Sequence, residues 1–158
     1  MKIFNTKNYH GVNISFHETC GMSPGDFEYK INLSCYNDNY EINIHPKDDV
    51  FHKDIEDNLS YHKCIDVDYM YFDNIFKQLK NINYDVFLYD DTIIEDEGCV
   101  IFELNKNSYT ITVYYYPCLI SESKCNNHIF ELNNVFENLK NKINCDEWYL
   151  EVKRKLDL

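Results

Sequence analysis

The sequence predicts an α+β fold, in which an antiparallel β-sheet carries helices packed on one face, and a single domain spanning residues 1–158. Two stretches alternate between apolar and polar residues on either side of a polar turn, which is typical of β-hairpins. Each hairpin is followed by apolar residues at spacings of three and four, which is typical of an amphipathic helix. The chain has only 4 glycines and 3 prolines. No linker-like segment therefore divides the two strand–hairpin–helix units.

The first unit begins with a strand, predicted by the alternation of residues 12–16. A second alternating stretch, residues 27–35, is followed by a polar turn and by a returning strand at residues 40–46, which ends at a proline. Either Asp66 or Asp68 has the side chain needed to cap the helix that follows. The apolar face of that helix consists of Phe72, Ile75, Phe76, Leu79 and Ile82.

The second unit repeats this order. Residues 86–89 predict a short strand, and residues 100–104 and 109–115 predict a hairpin that ends before Pro117. The helical face that follows consists of Leu132, Val135, Phe136, Leu139 and Ile143. After a predicted break near residues 144–146, a helical stripe continues to the C-terminus with Trp148, Val152 and Leu156.

The two predicted helices have similar sequences. Residues 133–141 match residues 73–81 in their pattern of asparagine, apolar and lysine positions. A duplication would make residues 11–84 and 85–158 a pseudo-repeat. The alternative is that two amphipathic helices in a chain rich in asparagine and lysine resemble each other by composition alone.

The charge of the chain limits its partners. With 27 acidic and 15 basic side chains, the formal net charge is -12. Such a surface repels nucleic acid and anionic lipid, so we expect neither direct nucleic-acid binding nor membrane binding. The same charge attracts basic proteins and speeds their association. The sequence therefore predicts a basic protein partner.

The apolar runs and the composition bear on localisation and origin. No apolar run approaches the roughly 20 residues that a membrane span needs, and the N-terminus lacks the apolar region of a secretory signal. We therefore expect a cytoplasmic protein. The chain contains no alanine and a single arginine, Arg154, so the gene is rich in A and T, as in many bacteria, mobile elements, phages and large DNA viruses.

The motifs of common enzymes and metal sites are missing from the sequence. Seven scattered cysteines, an odd number without a Cys-x-x-Cys pair, favour a reduced chain whose cysteines are small core residues. His17 and Cys20, like His62 and Cys64, lack the second ligand pair of a structural zinc site. No nucleotide-binding loop or nucleophile elbow is present. The sequence therefore predicts no metal, no cofactor and no catalytic residue, and thus a protein that is not an enzyme.

An acidic segment interleaved with apolar residues is the candidate partner-binding site. Six acids lie within residues 85–97, and two adjacent isoleucines stand among them. Exposed isoleucines surrounded by charge would suit a protein interface, whereas buried isoleucines would make this segment a strand edge kept soluble by its acids. The predicted partner-binding residues are Asp90, Asp91, Ile93, Ile94, Glu95, Asp96 and Glu97.

This profile, a small acidic α+β domain from an AT-rich gene without a catalytic signature, resembles that of bacterial immunity proteins. The resemblance is one of general character, and it implies an inhibitor that neutralises a nuclease-type toxin by covering its basic active-site cleft. One alternative is a phage or viral inhibitor of a host defence protein, such as an anti-CRISPR protein or a host-immune antagonist. A further alternative is an enzyme of unrecognised type.

Overall fold

The computed structural model describes residues 2–21, 24–48, 52, 55–89, 98–120 and 126–158. Six strands form one antiparallel sheet in the order β4-β3-β2-β1-β5-β6. The strands are β1 (Asn13–Glu18), β2 (Glu28–Tyr36), β3 (Asn39–Lys47), β4 (Lys63–Val67), β5 (Val100–Lys106) and β6 (Tyr109–Tyr115). The α-helices are α1 (Tyr69–Lys80), α2 (Asn126–Lys142) and α3 (Cys145–Lys155). The predicted α+β fold class with an antiparallel sheet is therefore confirmed.

Both predicted hairpins are present, as β2–β3 and β5–β6. Asn37 and Asp38, which join β2 to β3, both have positive φ angles, 49° and 62°. Asparagine and aspartate tolerate this conformation better than other non-glycine residues, and two such residues match the twist of a tight hairpin. The polar turn seen in the sequence therefore sets the register of the whole β2–β3 pair.

The helix boundaries follow from local chemistry. The Asp68 carboxylate accepts a hydrogen bond of 2.7 Å from the Tyr71 backbone N–H, which caps α1. Asn144 has a φ of 55° and separates α2 from α3, so the predicted break near residues 144–146 is confirmed. The α2–α3 connection is therefore a sharp corner rather than one long helix.

All three helices pack on the same face of the sheet. Phe16 in β1 stacks on Phe136 of α2 with a centroid separation of 4.9 Å, Tyr40 in β3 lies 5.1 Å from Phe72 of α1, and Tyr29 in β2 lies 5.7 Å from Trp148 of α3. The strand register places Phe16, Tyr29 and Tyr40 on one face. Their neighbours on that face, including Ile14, Ile31, Leu33 and Phe102, are fully buried.

Two predictions of local structure differ from the observed fold. Residues 86–89, predicted as a strand, lie in the 3₁₀-helix Tyr84–Tyr89. The Tyr84 ring stacks on Phe102 at 5.9 Å, and its hydroxyl donates a 2.8 Å hydrogen bond to the Leu79 carbonyl, so this segment turns across the core instead of joining the sheet. Strand β4 was not predicted, because its apolar residues Ile65 and Val67 are few and only half-buried.

The relation between the two halves of the chain is defined by β1, which pairs antiparallel with β2 and with β5. One continuous hydrophobic core contains buried residues from both halves. The duplication itself stays a prediction. Within the described residues, no helix is long and apolar enough to cross a membrane.

The sheet face opposite the helices carries polar and charged side chains, among them His45. This imidazole is half-buried and lies 5.3 Å from the His62 ring. Burial, together with the nearby charges of Lys47 and His62, lowers the pKa of His45 to about 4. The folded protein therefore holds His45 in its neutral form.

We expect the His45→Gln variant to lose less stability on acidification than the wild type does. The unfolded chain binds this proton near the ordinary histidine pKa of about 6.5, whereas the folded chain binds it near 4. Neutral His45 therefore makes its full contribution to the free energy of unfolding above the pKa of the unfolded chain. This contribution is lost as the pH falls to the pKa of the folded chain. Urea denaturation across this window measures the difference. The same substitution at the exposed His10 is the control. If the free energy of unfolding of the His45 variant depended on pH as steeply as that of the wild type, the lowered pKa of His45 would be contradicted.

Gly98 permits a close approach between the segments that flank β1 and β5. A Cβ atom added at Gly98 would lie 2.2 Å from the Thr19 carbonyl oxygen, which is a backbone atom and cannot rotate away. We expect Gly98→Ala to reduce the free energy of unfolding by about 1–3 kcal/mol, because the two backbones must separate. Gly25→Ala is the matched control, since a Cβ there meets nothing within 4 Å. Equal stabilities for the two variants in chemical denaturation would refute this expectation.

Candidate functional site

The predicted partner-binding residues Asp90, Asp91, Ile93, Ile94, Glu95, Asp96 and Glu97 lie outside the described residues. Among the acids of residues 85–97, the structure describes Asp85, whose exposed side chain belongs to the 3₁₀-helix before β5. The interface role of this segment therefore stays a prediction.

The cysteines are more varied than predicted. Cys35 and Cys145 are buried, as expected for small core residues, but Cys64 and Cys118 are exposed. No disulfide joins any two of the six described cysteines. Across the described ranges, no three histidine, cysteine, aspartate or glutamate side chains converge in a way that could hold a metal ion.

Three exposed large side chains lie at the end of the sheet where β2 turns into β3 and α1 begins. Tyr36, Tyr69 and Met70 are 68%, 54% and 71% exposed. Tyr69 and Met70 begin α1 on the helix-covered face, where the Tyr69 ring lies 5.9 Å from the Tyr40 ring, whereas Tyr36 lies on the opposite face. Tyrosine and methionine are enriched at protein interfaces, so this end of the sheet is a candidate protein-binding surface.

Four acids lie at the same end of the sheet. Glu41 in β3 is the direct cross-strand partner of Asp66 in β4, and Asp38 and Asp68 lie in the adjacent turn and helix cap. The β2–β3 and β3–β4 registers place Tyr36, Glu41 and Asp66 on the face opposite the helices, in neighbouring rows. We call this the acidic–tyrosine surface; it consists of Tyr36, Asp38, Glu41, Asp66, Asp68, Tyr69 and Met70.

The Glu41–Asp66 pair is electrostatically unfavourable for the free protein. Like charges directly opposite on adjacent strands destabilise a sheet. Among the basic side chains of the described chain, none forms an ion pair with Glu41, Asp66, Asp38 or Asp68. By contrast, Glu103 on the same face is paired with Lys30 at 3.5 Å.

The field of this acidic pair also acts on the neighbouring thiol. Cys64 donates a 3.4 Å hydrogen bond to Glu41. Desolvation, this hydrogen bond and the charges of Glu41 and Asp66 raise the pKa of Cys64 to about 11. The exposed thiol is therefore protonated at neutral pH, which makes it a poor nucleophile.

A cavity of about 450 Å³ lies at the opposite end of the sheet, between the strand ends and α3. Its acidic lining residues are Glu18 at the end of β1, Asp26 before β2 and Asp146 at the start of α3. Lys140 of α2 is the basic lining residue among those described, and four cysteines, Cys20, Cys99, Cys118 and Cys145, also line the space.

Three of the polar groups around this cavity have defined partners. Asp26 accepts hydrogen bonds from Tyr149 at 2.9 Å and from Lys153 at 3.1 Å, and these bonds lower its pKa. Tyr29 donates a hydrogen bond to Glu18, while burial and then the Glu18 charge raise the Tyr29 pKa. Burial raises the pKa of Cys145 to about 11. The Cys145 thiol is therefore not activated for catalysis, although it begins a helix.

Comparisons with known proteins give no relative: no family model matches the chain, and no curated protein matches it.

Sequence reasoning missed both sites for the same reason. The acidic–tyrosine surface draws on residues between 36 and 70 and needs the unpredicted strand β4 to bring Asp66 beside Glu41. The cavity draws on residues between 18 and 149. One signal was available: Glu18 continues the buried alternation of Ile14 and Phe16, which places a carboxylate at a core-facing position.

We expect Asp66→Asn to stabilise the free protein. Removing one of two directly opposed charges relieves repulsion worth about 0.2–1 kcal/mol. Salt screens this repulsion, so the gain is largest at low ionic strength. Chemical denaturation at low and high salt measures it. Glu103→Gln, which breaks an ion pair on the same face, is the control and is not expected to stabilise. A wild-type or lower stability for Asp66→Asn at low salt would rule out repulsion between these residues.

Proposed function

We propose that this chain is an inhibitory protein that binds a basic protein partner, and specifically that it is an immunity protein for a nuclease-type toxin. The observation that carries the proposal is the direct opposition of Glu41 and Asp66, which have no ion-pair partner among the described residues, at the end of the sheet where Tyr36, Tyr69 and Met70 are exposed. A free protein gains nothing in stability from this arrangement. A basic partner surface would neutralise the acids and cover the apolar side chains.

The proposed mechanism is occlusion. Nucleases bind phosphate groups with lysine and arginine, so a cleft of this kind attracts an acidic surface. The overall charge of -12 steers the encounter. The exposed tyrosines and the methionine then supply the desolvated contacts that slow dissociation, because tyrosine is among the side chains enriched at the energetic centres of interfaces.

The two kinds of residue are expected to have different kinetic roles. The acids act at a distance, so their loss slows association, whereas the apolar side chains act only on contact, so their loss speeds dissociation. The predicted segment from Asp90 to Glu97 is proposed as a second acidic contact with the same partner.

The charge-removed variant carries Asp38→Asn, Glu41→Gln, Asp66→Asn and Asp68→Asn. Asparagine caps a helix as well as aspartate does and tolerates positive φ, so the fold is retained at Asp68 and Asp38. Its matched control removes the same charge elsewhere, with Asp57→Asn, Glu131→Gln, Glu147→Gln and Asp157→Asn. Both sets of acids are exposed or half-buried.

We expect the charge-removed variant to associate with the partner about tenfold more slowly at low salt, and the control variant to associate nearly as fast as the wild type. The partner is first captured with wild-type bait at low and high salt, then tested for nuclease activity with and without this chain. Stopped-flow kinetics on the purified pair give the rates. Equal association rates for the two variants, or a captured partner whose activity this chain leaves unchanged, would refute the proposal.

Tyr36→Ala and Met70→Ala test the contact role separately. Both side chains are mostly exposed, so we expect the melting temperature to change little. We expect the dissociation rate to rise about tenfold or more if these residues are central to the interface. An unchanged dissociation rate in both variants would place the interface on another surface.

A further inference from the structure

Glu18 is a carboxylate at a position that the fold reserves for apolar side chains. In β1 it follows Ile14 and Phe16 on the helix-covered face, and both of these are fully buried. Its cross-strand partners are Tyr29 in β2 and Val100 in β5. It is half-buried and lines the 450 Å³ cavity.

Among the described residues, this carboxylate has no ion-pair partner, since no described lysine, arginine or histidine lies within 4.0 Å of it. Among the described side chains, Tyr29 donates a hydrogen bond to Glu18. The cavity's lysine, Lys140, has its ammonium 3.1 Å from Glu137 and 5.0 Å from the centre of the Phe136 ring. Although burial disfavours its charged form, the charge of Glu18 contributes to raising the pKa of Lys140, so Glu18 acts on this lysine from beyond ion-pair distance. A half-buried carboxylate with one hydroxyl donor still has acceptor capacity for a second donor.

The remaining charges leave the cavity negative. Asp26 is neutralised by Lys153, as Lys140 is by Glu137, so Glu18 and Asp146 are the two lining acids without a described ion-pair partner. The lining is mixed, and its aromatic part is at one margin. Phe27 and Tyr149 stack on each other with a centroid separation of 4.5 Å at this margin.

We propose that this cavity binds a small organic cation, an alkylamine or alkylguanidine, whose charged group pairs with Glu18 and whose alkyl chain lies against the Phe27 and Tyr149 rings. The volume lies within the range of small-molecule sites, about 300–1,000 Å³. A cationic donor would satisfy the carboxylate oxygens that Tyr29 leaves available, and a charge-assisted hydrogen bond is stronger than a neutral one. This site is independent of the proposed inhibitory function, because the acidic–tyrosine surface lies at the other end of the sheet.

The test uses three probes of similar size on the full chain: N-butylguanidine, its neutral isostere N-butylurea, and the anion pentanoate. Calorimetric titration and ligand-induced shifts in melting temperature report binding. We expect N-butylguanidine to bind at least about tenfold more tightly than N-butylurea, and pentanoate not to bind, because hydrogen bonds to a charged group are the discriminating contact. Equal affinities for the guanidine and the urea, or no binding of the guanidine, would overturn the proposal.

Glu18→Gln tests the residue. Glutamine keeps the shape and can still accept from Tyr29, so we expect the free variant to melt at or above the wild-type temperature while binding N-butylguanidine about tenfold more weakly. Glu103→Gln, on the opposite face of the sheet, is the matched control and is expected to bind as the wild type does. If Glu18→Gln does not fold, Asp146→Asn on the exposed first turn of α3 is expected to weaken binding about threefold. If the folded Glu18→Gln variant bound N-butylguanidine as tightly as the wild type does, the proposal would be overturned. If that variant does not fold, a wild-type affinity in Asp146→Asn would overturn it.

Discussion

Strand β1 is the element on which the rest of the structure depends, and Phe16 is its central residue. Phe16 pairs with Ile31 of β2 on one side and with Phe102 of β5 on the other, and its ring stacks on Phe136 of α2. Both hairpins therefore attach to this one strand, and the longest helix packs directly over it. Because β1 is hydrogen-bonded along both edges, the two halves of the chain share one ladder and one core. A smaller side chain at position 16 would loosen three contacts at once.

The arrangement around β1 also explains where unfavourable charges are found. The middle rows of the helix-covered face are filled by apolar residues that are fully buried, such as Ile14, Leu33 and Leu104. Three carboxylates that have no ion-pair partner among the described residues occur instead at the two ends of the sheet: Glu18 where β1 ends, and Glu41 opposite Asp66 where β3 begins and β4 ends. At these ends packing is incomplete, so a charge can remain in contact with water or a ligand without disrupting the core.

The hairpins, α1 and the α2–α3 corner could be predicted because each has a local cause in the sequence. The polar residues Asn37 and Asp38 suit a positive-φ turn, and Asp68 caps a helix with its own side chain. Strand β4 has no such cause, since Ile65 and Val67 become a strand only by pairing with β3. Residues 86–89 were assigned to the wrong element because a short apolar run does not distinguish a strand from a 3₁₀-turn whose position is decided by the packing of Tyr84 on Phe102.

The candidate sites were less predictable than the fold because they depend on which residues the register brings together. The acids of residues 85–97 stand out in the sequence because they are adjacent, but adjacency reveals nothing about packing. Glu41 and Asp66 are separated by twenty-four intervening residues. Neither is unusual until the β3–β4 register makes them direct neighbours, with no ion-pair partner among the described residues. The same holds for Glu18, whose chemistry follows from its position beside Tyr29 rather than from its type. The chain has 27 acids. Those that indicate a functional site are the carboxylates whose repulsion or desolvation the fold leaves uncompensated, because a soluble surface alone does not require them.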